Sequence, residues 1–486
     1  MLKPINAKGN ENVEPPQPPL PAAVRWVLAS LSLSMLLSSL GTSIANVGLP
    51  ALAQAFDASF QQVQWIVLAY LLAITTLIVG AGRLGDVMGR RRLLLAGISL
   101  FTAASVLCAA APTLGWLIAA RAAQGLGAAV MMALTMAFVG ETVPKARTGS
   151  AMGLLGTMSA VGTALGPSMG GVLIAGFGWR ALFVANVPLG LLALFLAWRH
   201  LPADRQAKAG AAGFDPVGTL LLALALAAYA LAVTLGRGSF GALNMVLLAA
   251  AALGAGLFVF AQTKVASPLL RLAMFRDPVL SASLAMNVLV STVMMATLVV
   301  GPFYLSRALG LSPALVGLVL SAGPVIAALS GVLAGRLVDR LGAARMVITG
   351  LAAMAAGALG LAVLPAMFGV AGYIAAIAVL TPAYQLFQAA NNTAVMADVP
   401  PDRRGVVSGM LNLSRNLGLI TGASVMGAVF ACATAASDIT AASPEAVAGG
   451  MRATFVLAAV LVVLALVMAL AGRALAARHA RLASVT

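Results

Sequence analysis

The sequence predicts an all-α integral membrane protein with fourteen transmembrane helices: two pseudo-symmetric six-helix bundles, two linker helices between them, and both termini cytoplasmic. Three observations carry this expectation. The 486 residues are 61% hydrophobic and only 9% charged, with a mean hydropathy of +1.02, which is more apolar surface than a fold in water can bury. Apolar runs of ~20 residues, the length a helix needs to cross a ~30 Å hydrocarbon core, recur along the chain. Two stretches of the first half also return in the second at a nearly constant offset.

Residues 1–22 are polar and carry Pro15, Pro16, Pro18, Pro19 and Pro21, so they are expected to form a disordered cytoplasmic tail and not a cleavable signal. Six apolar runs follow, at 26–48, 64–81, 93–111, 115–138, 151–174 and 181–198, within a first bundle at 23–209. Runs at 217–235 and 243–261 form the linker pair of 210–265 and have no copy elsewhere. The second bundle, 266–475, holds runs at 282–305, 313–333, 347–365, 368–390, 406–431 and 453–471, ahead of a cytoplasmic tail at 476–486.

Charge tests the topology independently, because Lys and Arg collect in cytoplasmic loops. Of the 29 basic residues, only Arg180, Arg237, Arg307 and Arg452 fall in outer loops, and only Arg121 and Arg415 inside spans. The net charge of +16 is thus read as topology and contact with anionic membrane lipids, and no nucleic-acid partner is expected. Cys108 and Cys432 both fall inside spans and are read as small buried residues, while His200 and His479 sit at solvated helix ends. No metal site and no cofactor are expected. Nothing resembles a paired nucleophile and base or a nucleotide-binding loop, so the chain is not expected to be an enzyme.

Gly82-Arg83-Leu84-Gly85-Asp86-Val87-Met88-Gly89, followed by Arg90 to Arg92, matches Gly335 to Gly342 at an offset of 253, with Asp339 in the place of Asp86. Arg147, Gly149, Gly153, Gly162 and Gly166 match Arg403, Gly405, Gly409, Gly418 and Gly422 at an offset of 256. Repeats in the same order imply two bundles related by an axis along the membrane normal. Small residues at Gly162, Gly166, Gly170 and Gly171, with a bend at Pro167, let two helices approach closely.

Together with Arg121-Ala-Ala-Gln124-Gly, Trp179-Arg180 through Gly190 and Asp215-Pro-Val-Gly218, these stretches resemble the major facilitator superfamily, in its fourteen-helix drug:proton antiporter branch. The resemblance covers nearly the whole chain. It implies a latch that holds one face shut at Gly82, Gly85, Asp86, Gly89 and Arg90, with a copy at Gly335, Asp339 and Gly342, and an antiporter-type seam at Gly162 to Gly171. Asp215 itself reads as a helix cap.

One departure stands out. Where the branch carries an aspartate in its first span, this chain reads Leu40-Gly41-Thr42. All thirteen acidic residues lie in polar segments or at helix ends. The interior polar groups are Asn46, Arg121, Gln124, Tyr229, Asn287, Tyr384, Gln388, Asn391, Asn412, Arg415 and Asn416. Arg121 lies ~7 Å inside its span and Arg415 ~16 Å past Arg404, and an intramembrane arginine marks a pathway by default. Asn46, Arg121, Gln124, Tyr384, Gln388, Asn391, Asn412 and Arg415 are therefore the expected substrate pathway. Fixed positive charge without a carboxylate favours neutral or anionic cargo over cations.

The leading expectation is secondary-active export of small amphiphilic drugs or metabolites by alternating access, in the inner membrane of a bacterium, by a monomer. Proton coupling is implied by the resemblance alone. A passive facilitator or an importer of organic anions or neutral solutes is the alternative, and a non-transporting membrane sensor is the third.

Overall fold

The computed structural model describes residues 21–143, 148–204, 215–234, 241–265, 268–269, 272–396, 399, 404–434 and 442–483. Among them helices occur and no strand does. The first half contains α1 (Ala22–Ala55), α2 (Phe60–Met88), α3 (Arg90–Ala109), α4 (Leu114–Thr142), α5 (Thr148–Phe177), the one-turn α6 (Ala181–Val184) and α7 (Asn186–His200). The linker helices are α8 (Pro216–Thr234) and α9 (Ala242–Lys264). The second half contains α10 (Pro278–Phe303), α11 (Pro313–Leu341), α12 (Ala343–Met396), α13 (Arg404–Thr421), α14 (Gly427–Thr434) and α15 (Pro444–Ala483), with a π-turn at Gly422–Met426 joining α13 to α14.

Local chemistry explains where these helices start. Ser59 and Gln62 form a reciprocal capping box on α2, and Asp277 accepts from Val279 N at 2.9 Å to open α10, each satisfying donors that the first turn leaves unpaired. Thirteen of the described helices are long and apolar enough to cross a membrane. One of them, α12, has 54 residues and would measure about 81 Å if straight. It instead turns back at Gly369, whose φ is +54°. Its two arms lie antiparallel: a Cβ on Gly357 would stand 2.8 Å from Leu380 Cα, and one on Gly350 2.9 Å from Phe387 N. α12 is thus two helices joined at the non-helical Gly369, and they supply the runs at 347–365 and 368–390 one each.

Lipid removes the hydrophobic force between helices, so close contact and hydrogen bonds must hold them together. Gly162 of α5 lies against the Leu36 carbonyl of α1, and Gly418 of α13 lies against the Val288 carbonyl of α10; a Cβ at either glycine would overlap that oxygen. At each crossing a hydroxyl donates to the glycine's own carbonyl, Ser43 Oγ to Gly162 O at 3.3 Å and Thr292 Oγ1 to Gly418 O at 3.1 Å. The repeat in the sequence is a repeat in packing. Gly89 and Gly342 likewise end α2 and α11 with φ of +95° and +86°, conformations that glycine alone adopts without strain.

The innermost helix is α1, with Leu31, Leu37, Leu40 and Ile44 fully buried, while α9 turns Leu253 and Val246 outward. The cysteines divide. Cys108 is buried, but Cys432 is exposed, because it lies on the outward face near the end of α14 and not in the core.

Overpacking a tight crossing costs about 1–3 kcal/mol or more, so Gly162→Val and Gly418→Val should each lower the thermal midpoint of the purified protein. Gly331→Val, where no atom lies within 4 Å of a Cβ, serves as the control. Equal midpoints for all three would refute the glycine-crossing account.

Candidate functional site

Arg121 is completely buried within the first half. Its Nε donates to Ile66 O at 3.0 Å, Nη2 to Gly41 O at 3.0 Å, and Nη1 to Gln124 Oε1. The guanidinium also lies 4.1 Å from the centroid of the Tyr70 ring, a cation–π contact. Gln124 Nε2 donates to Ser105 Oγ at 2.7 Å, and Tyr70 OH to Ser38 O at 2.8 Å. Arg121 and Gln124 together thereby tie α4 to α1, α2 and α3.

Glycine at position 41 is what permits this. A Cβ there would stand 2.7 Å from the Tyr70 hydroxyl and 3.2 Å from the Phe101 ring. While Tyr70 keeps its place, the position is closed to a carboxylate, and Arg121 takes the bare backbone carbonyl.

Arg415 is placed in the opposite way. Together with Asn412 it is exposed on α13, and among the described residues its guanidinium has no hydrogen-bond or ion-pair partner. On the second arm of α12, Tyr384, Gln388 and Asn391 share one face by their spacing of four and three. Gln388 Nε2 donates to Tyr384 OH at 2.9 Å. Asn391 is buried with neither amide atom paired. Asn46 donates to Thr42 O at 2.9 Å and leaves its Oδ1 unpaired. The expected pathway residues thus fall into a buried set (Asn46, Arg121, Gln124, Asn391) and a set reaching the surface (Tyr384, Gln388, Asn412, Arg415).

The two latch copies differ as well. A Cβ on Gly85 would press on Leu134, and one on Gly89 on Asp204, at 2.7 and 2.6 Å. Asp204 accepts from Arg91 N at 2.6 Å and Arg92 N at 3.2 Å, so it holds the positive N-terminal end of α3. Arg90 packs along Gly85, whereas Gly82 has open space beside it. In the second copy Gly335 and Gly342 also face open space, and Asp339 is exposed. The side chain of Asp86 lies outside the described residues. The sequence gives Asp204 only one signal, a lone acid four residues after His200 in a basic segment.

The seam glycines serve two crossings. Gly162, Gly166 and Gly170 face α1, while Gly171 meets Gly317 of α11, where a Cβ would stand 2.8 Å from the facing Cα. Asp215, buried, caps α8 through Gly218 N at 2.8 Å and accepts from Gln262 of α9 at 2.8 Å, which fastens the linker pair together.

A profile described as Major Facilitator Superfamily matches residues 31–423. The chain is 32% identical over 415 residues to the multidrug resistance protein Stp of Mycobacterium tuberculosis, covering 83% of this chain and 75% of Stp. It is 30% identical over 411 residues to the riboflavin transporter RibZ of Clostridioides difficile, covering 84% and 88%. Among solved structures, a bacterial homologue of the human lysosomal transporter Spinster, inward-facing and occupied, superposes with a TM-score of 0.69 at 18% identity over 94% of this chain and 98% of that one. With its helix order, paired glycine crossings and profile match in agreement, the chain belongs to the major facilitator superfamily: it is a multi-pass membrane transporter, not an enzyme.

Proposed function

We propose that this transporter exports small neutral or anionic amphiphiles by alternating access. The observation that carries the reading is Arg415, a guanidinium exposed on a spanning helix without a partner among the described residues. A lone cation facing lipid costs several kcal/mol, so such a residue faces a water-filled path. Asn412, one turn away and equally exposed, lies on the same face. Relatives named for multidrug resistance and for riboflavin transport support small organic cargo. Arg121, with its donors committed inside the first half, serves in this reading as the tie that keeps α1 to α4 rigid.

A second reading, facilitated passage without proton coupling, is favoured by one observation: Gly41 and its packing leave no room for the family's carboxylate. Flux in proteoliposomes separates the two. Export of an anionic or neutral dye driven by an imposed pH gradient supports the exporter, and flux that follows only the solute gradient supports the facilitator. Strong proton-driven export of a dication would overturn the charge argument in both.

A charge-assisted hydrogen bond contributes about 1.5–3 kcal/mol, so Arg415→Gln should weaken binding of an anionic dye by about tenfold or more and hardly change a neutral one. Uniform loss for both dyes would count against a role in charge selection. Gly41→Asp alone should destabilise the fold, since its side chain meets the Tyr70 hydroxyl. Gly41→Asp with Tyr70→Phe should restore stability and make flux pH-dependent, as a buried carboxylate beside Arg121 becomes titratable. A pH-independent double variant with full stability would remove the proposed link between Gly41 and coupling.

A further inference from the structure

At the end of the molecule where α2 begins and α10 ends, the two halves are sealed together. Phe60 of α2 sits edge-on to Phe303 and Phe430 of the second half, with ring centroids 4.7 and 5.6 Å away, and all three rings are fully buried. One turn further along the same face of α2 lies Gln64, 1% exposed. Its Nε2 crosses to the second half and donates to Ala423 O at 2.9 Å. Gly427 leaves the space its amide occupies; a Cβ there would overlap Nε2.

Ala423 is not an ordinary helical residue. It lies in the π-turn Gly422–Met426, where the wider winding interrupts the α-helical ladder and leaves a carbonyl open to an outside donor. The matching stretch of the first half, around Gly166 and Pro167, is α-helical. Gln64 makes this bond at a disadvantage, because its Oε1 is buried without a partner. The cost of a stranded acceptor is comparable to the net value of the bond made. Water would satisfy both atoms on opening, so the contact is close to balanced between its made and broken states. Beside it, Trp65 Nε1 donates to Thr234 Oγ1 of α8 at 3.1 Å, and Tyr229 OH of α8 pairs with Thr421 Oγ1 at 3.3 Å. The linker helix is fastened to both halves next to this point.

We infer that Gln64 is a positioning residue of the transport cycle: its amide is a polar latch on the Ala423 carbonyl, kept dry by Phe60, Phe303 and Phe430, which releases when the sealed end opens. The inference rests on the alternating-access reading. α8 limits how far the released halves separate.

The test uses the full-length protein in nanodiscs, with Cys108→Ala and Cys432→Ala and spin labels replacing the exposed Gln54 of α1 and Leu315 of α11. With Gln64 intact the label pair should report mainly the short, sealed distance. Gln64→Leu strands the Ala423 carbonyl and should raise the long-distance population about tenfold. Gln64→Glu should stay sealed at low pH, where the protonated acid donates as the amide does, and open as pH rises, because an ionised carboxylate is repelled by the carbonyl and cannot stay in a dry site. This pH switch is a response that a merely structural residue would not give, and it carries the test if Gln64→Leu fails to fold. Distance distributions in both variants equal to those with Gln64, at every pH, would overturn the latch. Parallel flux measurements keep the two readings apart: shifted distances without flux of any dye would leave the latch standing and remove the exporter.

Discussion

A guanidinium inside hydrocarbon must either be enclosed by protein acceptors or remain in contact with water, since a desolvated cation with neither is not tolerated. The two intramembrane arginines of this chain take opposite solutions. Arg121 is caged by the carbonyls of Gly41 and Ile66, the amide of Gln124 and the face of Tyr70. Arg415 is exposed on α13, and the water-filled path beside it belongs to the proposed function. The absent side chain at position 41 and the cage around Arg121 are one arrangement, because the same space admits the Tyr70 hydroxyl and bares the carbonyl. Helices α1 to α4 are tied by this network without an ion pair.

The contact between the halves is built from groups that pack well but bond sparingly. Gly171 and Gly317 meet backbone to backbone, where small residues maximise van der Waals contact without any hydrophobic drive. The polar bridges at the sealed end are few, and one of them strands an acceptor. Duplicated sequence has not produced duplicated detail. The glycine crossings recur faithfully, but Pro167 in one half is answered by a π-turn in the other, and among the described residues the clasp of Asp204 on Gly89 has no counterpart at Gly342. Asymmetry therefore lies at the helix ends and the seam, where a repeat is free to diverge without losing its core.

Span positions were readable because hydrocarbon thickness sets helix length directly, so every expected run lies largely within an observed helix, the merged α12 included. Gln124 beside Arg121 and the cap at Asp215 were also readable, since both depend on neighbours within one or two turns. Arg121 reaching Gly41 and Ile66, 80 and 55 residues away, was not. Burial of Asn391 against exposure of Asn412 was equally invisible, because an isolated amide in an apolar run gives no hint of which helix it faces. Asp204 and Gln64 carry no stronger signal, for the same reason.

By itself the sequence determined the membrane class, the number and placement of crossings, the internal repeat and the absence of any carboxylate from mid-span, all properties of composition and period that hold whatever the packing. Only tertiary structure decided which arginine is enclosed and which is exposed, which end is sealed, and which glycines face a neighbouring backbone. Those outcomes turn on distances between residues far apart in the chain, where a gap of one methyl group separates contact from collision.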